Sequence, residues 1–435
     1  MFPFSLHMLP PDYITYTSAL FGDTRWQQYL NAFNEEPPVS IRLNPFKQPA
    51  SGSVCCCTTA AVPWSRHAYY LSERPNFTLD PLLHAGAYYV QEASSMFLDH
   101  VLNSQLSTLN SQLILDLCAA PGGKSTLLRA ALPDDALLYS NEPDRRRANI
   151  LMENMQKQGH PNVIVTNNYP RDYQKSGLLF DMILCDVPCS GEGMFRKDEK
   201  TISEWSIDNV VKCQQLQRSI ISDIWHCLKP GGILIYSTCT FNTRENEENI
   251  QWILDSYDAE VLTIPVSPDW HITGSLLTGF NYPVYRFIPG ITKGEGLFMC
   301  VLQKRAGEQE GSHYSPRVSE VVHYSNHPSH QGGAGGRLSI LHDGRSLTPT
   351  IKGKKTIPAH AEALSVSTPR DKYPRVDLSL DDALRYLRHE ALTLPPPTPR
   401  GYVIVTYADL PLGFVNNIGT RANNLYPKEW KIRNL

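Results

Sequence analysis

Between residues 111 and 304, short apolar runs alternate with longer amphipathic ones, and no other feature of the chain restricts its fold as much. The strand-like runs are LILDLC (113–118), ALLYSNE (136–142), NVIVTN (162–167), FDMILCDV (180–187), GGILIYSTC (231–239) and GLFMCVLQK (296–304). Helical patterns stand between most of them: GKSTLLRAAL, DRRRANILMENMQKQG and DNVVKCQQLQRSIISDIWHCLKPGG. This alternation predicts an α/β domain with a parallel sheet covered on both faces, over residues 111–304. Residues 1–110 read as a mixed N-terminal extension. The polar, Gly/His/Ser-rich stretch 305–345 reads as a flexible linker. Residues 346–435 form a smaller unit with one helix, SLDDALRYLRHE, capped by Ser379, then the stiff LPPPTPRG and the strand YVIVTY.

The turn after the first run, LCAAPGGKST, is the first candidate site. Its Gly123, Lys124 and Ser125 match the end of a phosphate-cradling loop. Cys118 stands where that motif needs its first glycine, and Pro121 removes a backbone N–H, so a nucleoside triphosphate is disfavoured. The dinucleotide pattern G-x-G-x-x-G is absent. Asp116 lies near the end of the first strand and Glu142 ends the second, about 20 residues past the glycines, where a carboxylate meets ribose hydroxyls. That layout suits S-adenosyl-L-methionine.

Two cysteines follow strands over the same sheet edge: Cys189 in DVPCSG, beside Asp186, and Cys239 in STCTF. Carbon 5 of cytosine is not nucleophilic until a thiolate adds to carbon 6. A carboxylic acid bonded to N3 and the exocyclic amine steadies the adduct, and a further group helps the thiol leave. Asp186, Cys189 and Cys239 supply all three, and their spacing leaves the two thiols interchangeable. Cys118, Cys185, Cys213, Cys227 and Cys300 read as small core residues. Cys185 and Cys189 have no second pair for zinc, and Cys55–Cys57 sit in a turn-rich stretch without a His partner. Ten cysteines in 435 residues do not make a disulfide scaffold.

Charge and hydropathy bound the partners. The net charge of −3 does not advertise a polyanion partner, but from Leu338 onward 14 Lys+Arg face 9 Asp+Glu. No apolar run approaches the ~18 residues that span a membrane, and the N-terminus lacks a signal-peptide pattern. A cytoplasmic protein without membrane contact is expected.

Taken in order, SIRLNPFK (40–47), GAYYVQEASSM (86–96), LDLCAAPGGKST (115–126), NEPDRRR (141–147), CDVPCSGEGMFRKD (185–198) and LKPGGILIYSTCTFNTRENEENI (228–250) resemble the Sun-type RNA cytosine-C5 methyltransferases. The C-terminal LPLGFVNNIGTRANNLYPKEWKIR is similar to the PUA-like RNA-binding tail of bacterial RsmF-type enzymes, which methylate a cytosine of 16S ribosomal RNA. The resemblance implies a Rossmann-like methyltransferase sheet, an N-terminal RNA-binding region and a C-terminal PUA-like domain, acting on ribosomal RNA or the small subunit; a monomer is the expected state. It implies Cys239 as nucleophile, Cys189 as the thiol that assists release, and Asp186 as the contact to the base. It places S-adenosyl-L-methionine on Cys118, Ala119, Ala120, Pro121, Gly122, Gly123 and Lys124, on Glu142, and near Asp186. Asn167 or Asn168 stands where many members carry an acid for the adenine amine. A catalytically idle RNA-binding assembly factor is the alternative, and intact Asp186, Cys189 and Cys239 argue against it. In the tail, Arg421, Lys428, Trp430, Lys431 and Arg433 suit phosphate contacts and stacking, with Tyr426 and Trp430 equally readable as core.

Overall fold

In the computed structural model, which describes residues 6–49, 57–105, 113–306, 338–353 and 355–433, the alternating runs gather into one twisted sheet. Helix α1 (Pro11–Ala32), broken at Gly22, precedes a small antiparallel sheet. That sheet contains β1 (Ser40–Leu43), β2 (Thr58–Ala61), β3 (Ala68–Leu71) and β4 (Tyr88–Val90), with α2 (Pro81–Ala85) before β4. Helix α3 (Phe97–Gln105) leads into the large sheet. There β5 (Leu113–Asp116), α4 (Gly123–Ala131), β6 (Leu137–Asn141), α5 (Arg145–Gln158), β7 (Val163–Thr166), α6 (Pro170–Ser176) and β8 (Phe180–Asp186) alternate in order. They are followed by α7 (Glu199–Glu204), α8 (Ile207–Ile224), β9 (Leu228–Thr238), α9 (Glu247–Ser256), β10 (Ala259–Val261), β11 (Tyr285–Phe287), β12 (Leu297–Lys304) and β13 (Ile340–Asp343).

The large sheet runs β10-β12-β9-β8-β5-β6-β7-β13, with β11 paired to β12. From β9 to β7 all pairs are parallel. Two features depart from the patterning. The run 296–304, expected in a parallel sheet, is antiparallel to β9. Helix α9 is the crossover that carries the chain to β10, and β12 then returns between β10 and β9 in the opposite sense. The linker expected through residue 345 ends sooner. Ile340–Asp343 pairs antiparallel with β7, and Asn168 fixes its start by accepting from Ser339 N at 2.9 Å. Residues 307–337 of that expected linker, and Cys55 and Cys56, lie outside the described residues.

Side-chain parity splits the core into two faces, because successive strand residues point to opposite sides. Ile114, Leu138, Met182, Leu184 and Ile235 pack under α3, α4 and α5. Leu115, Tyr139, Ile183, Cys185, Tyr236 and Cys300 pack under α8 and α9. Cys185, Cys227 and Cys300 are thus core thiols.

The C-terminal unit contains the hairpin β14 (Thr350–Lys352) and β15 (Lys355–Ile357), then α10 (His360–Leu364), β16 (Arg375–Asp377), α11 (Leu380–Leu387), β17 (Gly401–Tyr407), β18 (Leu410–Asn417) and β19 (Ala422–Asn424). Ser379 caps α11, its Oγ accepting from Asp382 N at 3.2 Å. Its core is shared with the N-terminal sheet: Leu387, Val403, Val415 and Tyr426 join Ile41, Leu82 and Tyr88. Tyr426 is therefore core, whereas Trp430 is half-buried with Lys157 of α5 above its ring.

Candidate active site

Every loop at the carboxyl end of the parallel strands carries a residue singled out from the sequence. Such ends collect the ligands of open α/β sheets, because the helices that follow splay the loops apart there. Asp116 ends β5 fully buried; one oxygen accepts from Ser125 Oγ at 2.6 Å and the other has no hydrogen bond. Burial, then the charges of Asp186 and Glu142, push its pKa up to about 7 against the help of Ser125 and Lys124.

The loop that follows is held from outside by backbone contacts. Ala119 N donates to Asn141 O at 2.8 Å, Arg147 Nη2 to Ala120 O at 3.0 Å and Asn154 Nδ2 to Pro121 O at 2.8 Å. Gly122 takes a φ of +117° to open α4, which a side chain would resist. Cys118 lies partly buried in this loop, its thiol pushed well up by burial. Glu142, buried at the end of β6, has its pKa raised by burial. Its Oε2 lacks a hydrogen bond and meets Arg147 only at 3.4 Å.

Asn167 and Asn168 part ways. Asn168 is spent on β13, and its backbone carbonyl accepts from Asn141 Nδ2 at 2.9 Å. Asn167 directs Nδ2 to Glu142 O and Pro143 O, at 2.7 and 2.9 Å, which leaves its side-chain carbonyl as an acceptor beside the Glu142 loop.

At β8 and β9 the two half-buried thiols meet: Cys189 Sγ and Cys239 Sγ are 3.3 Å apart. The hydrogen bond to Cys239, then burial, push the Cys189 thiol well up. Asp186 accepts from Lys124 Nζ at 2.8 Å on one oxygen and from Ser237 Oγ at 2.7 Å on the other. Burial opposes the charge on Lys124, but Asp186, and then Cys239 and Asp116, hold its pKa above the usual lysine range. A glycine crossing keeps the thiol loops close: a Cβ on Gly193 would sit 2.7 Å from Gly296 Cα and 2.8 Å from Cys239 O.

The sequence reading missed the supporting roles of several residues. Ser237 and Ser125 hold the two aspartates. Arg42, from β1, reaches across to Thr126 Oγ1 at 2.6 Å behind the glycine loop. Glu192, Gln217 and Glu245 are buried around the thiol loops. A single Ser inside a strand or a helix, or a Glu in a polar stretch, carries no periodic signal, so these roles emerge only from the fold.

The site fits a cationic nucleoside cofactor. Buried Asp116 and Glu142 each keep an oxygen without a hydrogen bond, and a sulfonium and an ammonium group suit an anionic pocket. Fold and site define a class, the Rossmann-like S-adenosyl-L-methionine-dependent methyltransferases. Three family models match in chain order: the N-terminal domain of 16S rRNA methyltransferase RsmF over residues 9–93, 16S rRNA methyltransferase RsmB/F over 103–303, and the methyltransferase RsmF PUA domain over 373–432. A ribosomal RNA small subunit methyltransferase F of Salmonella heidelberg is 26% identical over 450 aligned residues, covering 93% of this chain and 92% of its own. That of Citrobacter koseri is 28% identical, covering 85% and 84%. The structure of a methyltransferase homologue from Pyrococcus horikoshii aligns with a TM-score of 0.55 at 27% identity, covering 68% of this chain and all of that one. NSun6 from the same organism shares the fold, with a TM-score of 0.56 at 18% identity, over 69% of this chain and 99% of its own. The chain belongs to the RsmB/F methyltransferases, RNA-modifying enzymes, and carries the PUA RNA-binding domain of the RsmF type.

Proposed function

We propose that this protein transfers a methyl group to carbon 5 of a cytosine in 16S ribosomal RNA through a covalent bond between Cys239 and carbon 6. When bound, S-adenosyl-L-methionine supplies an electrophilic methyl on its sulfonium. The glycine loop from Cys118 to Lys124 and the Glu142 carboxylate would hold it, with the Asn167 carbonyl toward the adenine amine and Asp186 at its methyl end. Cys239 adds to carbon 6, and Asp186 bonds N3 and the exocyclic amine. Carbon 5 then becomes nucleophilic and is methylated. Loss of its proton restores the ring and expels Cys239.

The observation that carries this reading is the pair of thiols 3.3 Å apart beside Asp186. A thiol in contact with the attacking sulfur can steady its thiolate by hydrogen bonding, both before attack and on departure, and the motif resemblance assigns the attack to Cys239 and this support to Cys189. Lys124 adds positive charge near Cys239. A paired target base has to be unstacked to reach these thiols.

The protein is read as a cytoplasmic monomer, with no membrane-crossing helix among the described residues. Its working units are an N-terminal RNA-binding region (1–110), the methyltransferase domain (111–304, with strand β13 added to its sheet) and a C-terminal RNA-binding region (346–435).

The test uses purified protein, small-subunit RNA or particles, and labelled cofactor. Cys239→Ala should give no transfer and no adduct, and Cys189→Ala a protein–RNA adduct stable to denaturation. An adduct in the Cys239 variant would reverse the assignment, and no label on cytosine carbon 5 in any of these RNAs would end the proposal.

A further inference from the structure

Two buried carboxylates link the thiol loops crosswise. Glu192 lies three residues after Cys189, yet it serves the other loop. It accepts from Phe241 N at 2.6 Å, Asn242 N at 3.0 Å and Asn242 Nδ2 at 3.0 Å, and Trp205 Nε1 donates to it at 2.9 Å. Glu245 lies six residues after Cys239, yet it serves the Cys189 loop. It accepts from Ser190 N at 3.0 Å, Asn242 Nδ2 at 2.8 Å and Gln217 Nε2 at 2.7 Å. The same Gln217 Nε2 donates to Pro188 O at 2.8 Å. The backbone on both sides of Cys189 is thus tied to one Glu–Gln pair.

Burying two carboxylates costs several kcal/mol each unless their lone pairs are satisfied. A carboxylate accepts at both oxygens, so it can gather donors from two loops at once. Leucines at these sites would pack the core without fixing the thiols. Burial and the neighbouring Glu192 push Glu245 up to about 7.

We infer that Glu245, with Gln217, is a positioning residue for Cys189 and so for release of the methylated base, and that Glu192 is its counterpart for attack by Cys239. The inference rests on the cytosine-C5 reading. In the step concerned, the carbon 5 proton passes to water and its bonding pair forms the C5–C6 double bond. The C6–S pair returns to the Cys239 sulfur, which takes a hydrogen bond from Cys189. A Cys189 displaced by an ångström loses that bond, and methylated RNA stays attached.

The experiment compares wild type, Cys189→Ala, Glu245→Gln, Gln217→Met and Glu192→Gln in the full chain with the RNA substrate. Single-turnover methyl transfer, steady-state turnover and denaturation-stable adduct are each measured. Glu245→Gln should keep the single turnover, lose turnover roughly 10- to 100-fold and accumulate adduct as Cys189→Ala does. Gln217→Met should do the same should Glu245→Gln fail to fold. Glu192→Gln should instead slow the single turnover and hold little adduct. Wild-type turnover without adduct in Glu245→Gln or Gln217→Met overturns the inference. So does loss of the single turnover in both, which is what a merely structural role predicts. Absence of adduct in Cys189→Ala strikes at the cytosine-C5 reading itself, which keeps the two failures apart.

Discussion

Replacing Gly193 with Ala tests whether the glycine crossing sets the thiol geometry. The added Cβ would lie 2.7 Å from Gly296 Cα, 2.8 Å from Cys239 O and 3.0 Å from Gly296 N, where ordinary contact begins at 3.4 Å. All three obstacles are backbone, so no side chain can swing aside. The loops must separate by about 0.7 Å, stretching the 2.8 Å hydrogen bond from Gly193 N to Cys239 O. Overpacking of this kind costs about 1–3 kcal/mol. Misplacing reacting groups by ~1 Å costs about 100-fold, so the smaller shift should slow single-turnover transfer roughly tenfold or more. Gly296→Ala should behave alike, since its Cβ would meet Gly193 Cα at 2.6 Å. Gly274→Ala, with nothing within 4 Å, is the control. Thermal melting and methyl transfer to RNA measure the two effects. A Gly193→Ala enzyme that melts and transfers like wild type would refute the argument that this crossing fixes the thiols.

Arg286 and Glu247 are fully buried and 2.6 Å apart, so Arg286→Met should lose about 3–5 kcal/mol in denaturant unfolding, with the Arg286→Met/Glu247→Gln double variant recovering part of it. Asp116 holds its proton up to about 7 in the fold but only to 3.8 when unfolded. The folded state therefore binds more protons between those values, and stability falls as pH rises through them. Asp116→Asn should shrink the stability loss between pH 5 and 8 by on the order of 2 kcal/mol, read by urea unfolding at each pH. Lys124→Met leaves Asp186 with Ser237 alone. It should reduce adduct formation and raise the pH at which transfer begins, and an unchanged pH profile would show that Lys124 does not influence the thiols.

The sheet was legible because its strands are apolar almost throughout and end in chemistry. Asp116, Glu142, Asp186, Cys189 and Cys239 all fall at or just beyond strand ends, so one topological rule gathers them at one edge. The antiparallel sense of β12 was not legible, since strand direction follows from crossover connections and not from composition. Strand β13 was hidden because its sequence, ILHD, sits beside a polar Gly-rich stretch and pairs on one edge only. Glu192 and Glu245 were hidden for a different reason. Charged residues in a polar stretch read as solvated, and only the fold reveals that they are buried with every donor already waiting.

Strand β13 has a practical consequence for anyone dissecting the chain. The methyltransferase family match stops at residue 303, which invites a fragment ending just beyond β12. Such a fragment would lack the strand that covers β7. Val163–Thr166, apolar and buried in the whole protein, would become a bare sheet margin with open N–H and C=O groups. A fragment cut at the apparent boundary should therefore stick to itself, and the durable minimal catalytic unit extends at least to residue 344.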